Sequence, residues 1–284
     1  MPVYAYIGLA MLVASEAAMF AQIEPFWSWH TAIAWTGYIL LIDAIIYKKR
    51  GSSWLMTNRK EFVFLAILSI PLWVVFEAYN LLIENWHYIN LPEHPIARYF
   101  GYAWSFATIS PAIFETAELV SILRRSPMDD GRSTIADRPS TMDHRLSTID
   151  CALVASGSAM LIWPIVWPSP YLAAPIWLGF IFLLDPVNDR LGAESLIGDL
   201  RGGRTGRLIN LALSGFMCGA LWEFWNYWAR AKWIYDVPIM QHWKIFEMPL
   251  PGYFGFPPFA LECFTMYVFV RRLFWRGNTR PIAL

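Results

Sequence analysis

Residues 76–88 read FEAYNLLIENWHY and residues 222–235 read WEFWNYWARAKWIY. Each stretch leaves an apolar run through a Glu, carries an Asn three positions later, and closes on Trp-x-Tyr. Working outward in both directions, the likeness continues in unbroken order at a shift of 141 to 147 residues. VASEAAM at 13–19 returns as VASGSAM at 154–160, TGYILLID ending at Asp43 returns as LGFIFLLD ending at Asp185, and PAIFE at 111–115 returns as PFALE at 258–262. Self-similarity at one period is the signature of a tandem repeat.

The composition says which solvent the repeats face. Of 284 residues, 57% are hydrophobic and only 15% charged, against about 25% charged in soluble domains. Crossing a bilayer takes roughly 20 apolar residues, and eight runs meet or approach that length: 3–22, 31–47, 62–83, 103–123, 151–167, 172–184, 208–229 and 252–274. The sixth is the shortest. The runs are continuous rather than alternating, which excludes a barrel. The expected fold is therefore all-α and polytopic: about eight transmembrane helices arranged as two parallel four-helix repeats, 1–123 and 151–284, joined by a charged cytoplasmic linker at 124–150. The first run lacks the basic leading segment of a signal peptide and recurs later, so it reads as structure.

All but four of the 22 basic residues (Arg98, Arg230, Lys232 and Lys244) fall in loops on one side. The positive-inside rule makes that side cytoplasmic and puts both termini there. The 22 acidic residues balance the basic ones, leaving no excess for nucleic acid. Cys151, Cys218 and Cys263 sit in apolar runs and read as small core residues.

Polar residues kept in both copies are Asp43/Asp185, Glu77/Glu223, Asn80/Asn226 and Glu115/Glu262. Ionisable groups at membrane depth cost about 3 kcal/mol or more and normally face a cavity or a protein interior. Glu223 stands about 24 Å from the inner face at 1.5 Å per residue, Glu77 matches it counted from Glu61, and Glu115 and Glu262 lie about 15 Å down from the outer end, depths that let all four open on one outward cavity. Asn80 and Asn226 share a helix face with their glutamates and are expected to hold the carboxyl groups. Pro111 and Pro258, four residues before their glutamates, are expected to kink the fourth and eighth spans. Asp43 and Asp185 end their spans, where solvated ion pairing or helix capping is expected. Glu16 has Gly157 as its counterpart and is not kept.

The chain holds 16 tryptophans. Trp73, Trp86, Trp222, Trp225 and Trp233, with Tyr88 and Tyr235, cluster near the glutamates. They form either an interfacial aromatic belt or a cavity wall of π faces that attracts cations. Two carboxyls in such a wall suit proton addition to an apolar alkene, ring closure through a carbocation, and proton removal elsewhere. No H-E-x-x-H or Asp-rich diphosphate motif is present, so neither metal nor cofactor is expected.

An acid late in an apolar span, a Trp-x-Tyr loop and a Pro shortly before an acid in the next span, all duplicated head to tail, resemble the lycopene cyclase domain family. The resemblance covers residues 35–120 and 177–270. It implies a cofactor-independent, non-redox cyclase acting on a polyene isoprenoid, carotenoid or terpene, within the lipid bilayer. Carried over by position, Glu77 and Glu223 match the family's span-end acid, Trp86/Tyr88 and Trp233/Tyr235 its aromatic loop, and Glu115 and Glu262 its Pro-x-Glu-Glu element. Here three residues separate Pro from Glu, and no adjacent Glu pair occurs. In this reading Glu77 or Glu223 donates the proton and Glu115 or Glu262 receives one, while Asn80, Asn226 and the aromatic residues bind substrate. Two rival readings use the same residues: an ion- or proton-coupled transporter or channel, and a non-catalytic membrane subunit that holds a pigment or partner. A homo-oligomer is compatible with each. Glutamates that simply pin helix to helix would give the same pattern.

Overall fold

The computed structural model describes residues 1–124, 147–274, 282 and 284. Most of the 124–150 linker, together with Arg125, Arg132, Arg138, Arg145, Arg276 and Arg280, lies outside the described residues. The helices are α1 (Val3–Phe20), α2 (His30–Arg50), α3 (Trp54–Thr57), α4 (Arg59–Ile83), α5 (Pro95–Arg124), α6 (Thr148–Val166), α7 (Ala173–Arg190), α8 (Leu196–Arg201), α9 (Gly206–Trp228) and α10 (Phe256–Phe274). All but α3 and α8 belong to eight segments long and apolar enough to cross a membrane, consistent with an integral membrane protein.

α1 packs along α2 and α6 along α7; α5 joins α2 to α4, and α10 joins α7 to α9. α5 also packs extensively on α9, whereas α10 meets α4 only lightly. As a result α2 and α5 are sheathed by protein, while α1, α4, α6 and α7 leave most of their surface outward. The α6–α7 seam is close because Gly157 lacks a side chain: a Cβ there would stand 2.4 Å from the Leu183 amide nitrogen and 2.7 Å from the Gly179 carbonyl oxygen.

Asp43 and Asp185 are buried rather than solvated. Asp43 accepts from Tyr4 (2.6 Å), the Ser53 hydroxyl (2.8 Å) and the Leu55 amide (2.9 Å). Asp185 accepts from the Leu196 and Ile197 amides at 2.8 and 2.7 Å. Each therefore caps the start of the short helix that follows its own span, α3 or α8, satisfying amides that have no partner within the helix. Buried ion pairs fasten the same end of the bundle, Arg50 to Glu118 at 2.6 Å and Arg271 to Glu61 at 2.6 Å.

Two expectations need correction here. Pro258 occupies the first turn of α10, where a missing N–H costs nothing, so it starts that helix instead of kinking it. Cys151 is exposed, although Cys218 and Cys263 are buried. α5 continues through Pro111.

At the opposite end from α3 and α8, the Trp-x-Tyr segments become strands β1 (Trp86–Ile89) and β2 (Lys232–Tyr235). They pair antiparallel, with Trp86 opposite Tyr235 and Tyr88 opposite Trp233. A second small pair, β3 (Lys244–Ile245) and β4 (Met248–Pro249), follows.

Candidate functional site: an aromatic cavity beneath the strand pair

A cavity of about 480 Å³ opens beside the strand pair and runs down between the helices, within the ~300–1,000 Å³ usual for small-molecule sites. Its indole walls are Trp29 just before α2, Trp35 from α2, Trp73 from α4, Trp86 and Trp233 from the strands, Trp177 from α7 and Trp222 from α9. Tyr88, Tyr102, Tyr235, Phe106 and Phe259 add to the aromatic surface, with Tyr171, Phe254 and Phe256. Wall rings contact one another as well as the open space: Trp73 lies 5.8 Å from Trp222 and 6.0 Å from Trp86 between centroids.

None of the four glutamates forms part of the lining. Glu77 and Glu223 stand one layer behind it, each bonded to a phenol that does line it. Tyr88 donates to Glu77 Oε1 at 2.5 Å, and Tyr235 donates to Glu223 Oε1 at 2.8 Å. Glu77 Oε1 also accepts from the indoles of Trp73 (2.7 Å) and Trp86 (3.3 Å). On the other side the Trp233 indole donates to the Tyr235 oxygen at 2.8 Å, and Glu223 Oε2 is buried without a hydrogen bond among the described residues. Burial first, and then the neighbouring carboxyl group, hold both phenols well above the usual tyrosine range, so each keeps its proton.

Glu115 and Glu262 do not join this arrangement, which corrects the expectation of one hollow shared by four acids. They lie one turn beyond the floor residues Ala112 and Phe259 and are sealed from solvent. Glu262 accepts from the Phe180 amide at 3.2 Å, while neither Glu115 oxygen has a hydrogen-bond partner among the described residues.

The asparagines also do something other than expected. Asn80 donates to the Trp86 carbonyl at 2.7 Å, and its Oδ1 accepts from the amides of Asn85 (2.9 Å) and Trp86 (3.1 Å). Asn226 donates to the Trp233 carbonyl at 2.9 Å and accepts from its amide at 3.0 Å. The amides pin the strands to the helix ends instead of holding the carboxyl groups, and neither lines the cavity. Trp225 is absent from the wall too: its indole packs on Trp35 and donates to Glu16 at 2.8 Å. Trp73, Trp86, Tyr88, Trp222, Trp233 and Tyr235 are brought together in the wall as expected.

Trp29, Trp35 and Trp177 also line the cavity, although they are not among the residues expected there; two of them, Trp35 and Trp177, correspond between the two halves of the sequence. They stand 142 residues apart, the shift that relates Asp43 to Asp185, and that agreement was the available signal. The groups of acids, histidines and cysteines among the described residues do not form a cluster able to hold a metal ion. No family model matches the chain, and no curated protein or solved structure matches it.

Proposed function

We propose that this chain is a membrane-embedded cyclase of a polyene isoprenoid, built as two four-span repeats (1–123 and 151–284) with both termini cytoplasmic. The single observation that carries the reading is a Tyr–Glu pair on each side of one aromatic cavity, at positions that correspond between the two halves of the sequence. The repeat is supported by contacts recurring at corresponding residues: Asn80 and Asn226 to strand backbones, Asp43 and Asp185 to the helix that follows.

The chemistry begins at Tyr235. With Glu223 protonated, the Tyr235 hydroxyl turns from Glu223 Oε1 toward the substrate and gives its proton to one carbon of a double bond. The carboxyl group, now the donor, passes its proton to the phenol oxygen, so the phenol is never left charged. The π electrons of a second double bond form a carbon–carbon bond to the resulting cation and close the ring. A proton next to the relocated cation passes to the Tyr88 oxygen as the Tyr88 proton moves to Glu77, and the C–H electrons become a new double bond. Substrate and product are isomers. Exchange with water at the cavity mouth returns the proton from Glu77 to Glu223. Wall indoles, above all Trp73 and Trp222, present π faces to the cation.

Expression in bacteria that accumulate an acyclic polyene tests this directly. The wild type should produce a cyclic isomer of unchanged mass, and Glu223→Gln or Tyr235→Phe should lower its yield by at least about 100-fold, the scale of a lost general acid. An unchanged polyene profile from well-inserted wild-type protein refutes the cyclase. A second reading is favoured by the carboxyl groups stopping one layer short of the lining: a carrier that holds the polyene unaltered. Stoichiometric co-purification of unconverted polyene would select it.

A further inference from the structure

The cavity face of α5 changes character along its length. Arg98, Tyr102 and Ser105 line the rim, and Phe106, Ile109, Ala112 and Ile113 continue down to the floor. The spacing keeps these residues on one side of the helix, and the fifteen-residue interval from Arg98 to Ile113 spans about 22 Å at 1.5 Å per residue. A purely hydrocarbon ligand has no use for the upper part of such a stripe.

The rim carries two cations, and they differ in what already satisfies them. Lys232 is bonded to the Glu247 carboxylate at 2.6 Å and to the Tyr227 carbonyl at 3.2 Å. Arg98 is half-buried and bonds only to backbone carbonyls among the described residues, Pro92 at 3.0 Å and Glu93 at 3.4 Å. No carboxylate neutralises it within ion-pair distance among the described residues. It also sits in the first turns of α5, a place where the helix dipole disfavours a cation and where no acid offsets it. One turn along, the Tyr102 hydroxyl makes no hydrogen bond to the protein among the described residues, and neither does the Ser105 hydroxyl.

We infer that the cavity takes an amphiphile with an anionic oxygen headgroup, held at the rim by the Arg98 guanidinium with Tyr102 and Ser105, and with an apolar chain of about 20 Å lying along α5. This rests on the cavity being a ligand site and narrows the polyene substrate to one bearing a carboxylate or a monophosphate at one end. The aromatic wall then acts on the chain while the rim sets its direction and depth.

The test is titration of intact protein in an uncharged detergent, read by the emission of the wall tryptophans. The probes are geranylgeraniol, geranylgeranoic acid and geranylgeranyl monophosphate, with an anionic phospholipid as a fourth arm. The acid or the monophosphate should bind at least about tenfold tighter than the alcohol, the scale of one charge-assisted contact. Arg98→Gln should remove that advantage and leave the alcohol unchanged, Arg98→Lys should retain part of it, and Lys232→Gln should matter less. The order of acid, monophosphate and phospholipid identifies which source of the anion the rim prefers. Equal binding of alcohol and both anions by the wild type overturns the headgroup assignment while leaving the cavity reading intact. Equal weakening of every probe in Arg98→Gln also overturns it, since the guanidinium would then act only on structure. Failure of all the probes to bind overturns the cavity reading as well.

Discussion

Removing the Asn80 amide should loosen the roof of the cavity selectively and by a calculable amount. Asn80→Ala deletes three hydrogen bonds, to the Trp86 carbonyl and from the Asn85 and Trp86 amides, at a site where Asn85 and Trp86 are buried. At a net ~1 kcal/mol per bond, and more where a buried group is left unmatched, the local cost is about 3–5 kcal/mol. Asn226→Ala deletes two, to the Trp233 carbonyl and from its amide, in a strand that is only half-buried, for about 2 kcal/mol. Hydrogen exchange reads the difference. The Asn85 and Trp86 amides should exchange at least about 100-fold faster in Asn80→Ala, and the Trp233 amide about 10- to 30-fold faster in Asn226→Ala. Because Tyr88 and Trp233 face each other across the strand pair, Asn80→Ala should also speed exchange in β2. Wild-type rates at Asn85 and Trp86, or a larger effect from Asn226→Ala, would refute the assignment of these asparagines as strand pins.

Gly157→Ala should weaken the α6–α7 seam by about 1–3 kcal/mol, because its Cβ would meet backbone on α7; Gly206→Ala, with open space around it, is the matched control, and equal resistance of the two to thermal unfolding would count against the close seam. Asp185→Asn should destabilise α8 by about 1–3 kcal/mol, since the carboxylate accepts from two amides and an amide side chain presents only one acceptor oxygen; proteolysis within 191–205 should quicken, and an unchanged cleavage rate would contradict the cap. Burial pushes the Glu24 carboxyl up, but the bonds from Arg230, the Ser28 hydroxyl and the Ser28 amide outweigh it and leave the group below the usual glutamate range. A depressed carboxyl stabilises the fold above its unfolded value and loses that contribution as pH falls through the folded one, so acidification below about pH 4 should weaken the loop at Glu24. Both partners are well exposed, which holds the effect under about 1 kcal/mol; Arg230→Gln should flatten the pH dependence of melting in that range, and an unaltered profile would dismiss the pair.

Hydropathy located the spans because lipid imposes their length. It shortened the sixth span, expected at 172–184 and found as α7, Ala173–Arg190, for an identifiable reason. The last two turns contain Asp185, Pro186, Asp189 and Arg190, which look like loop residues until their partners are known. Asp185 meets the α8 amides, and Asp189 meets Ser195 and Arg201. Agreement between copies flagged the polar residues that matter, yet it is blind to whether the partner is backbone or side chain, and the asparagines were misassigned on that account. Depth was legible for Glu115 and Glu262, but depth does not say where a cavity ends; its floor lies one turn short of them. The wall itself was only half legible. Clusters near the glutamates drew in Trp225, which faces Glu16, and left out Trp35 and Trp177, which lie in spans without a membrane-depth glutamate.

The two Tyr–Glu pairs are not duplicates, and the difference lies at two indole positions. Trp73, which donates its indole to Glu77, corresponds at the 146-residue shift to Gly219. There a Cβ would run into the Phe256 ring, so that ring takes the space an indole would need. Downstream, the Trp86 indole reaches Glu77 whereas the Trp233 indole bonds to the Tyr235 oxygen. Among the described residues Glu77 thus gathers Tyr88, Trp73 and Trp86 on one oxygen, whereas the close donor to Glu223 is the Tyr235 phenol, with the Trp233 indole and the Met248 amide also acting on its carboxyl group. A site that must give a proton at one end and take one at the other needs two carboxyl groups in unlike surroundings. In the proposed repeat, two indoles make that difference: Trp73, which has no indole counterpart in the second copy, and Trp86, whose counterpart Trp233 bonds to Tyr235 instead. The proposed proton route, from Glu223 through Tyr235 to substrate and back through Tyr88 to Glu77, uses that inequality of surroundings.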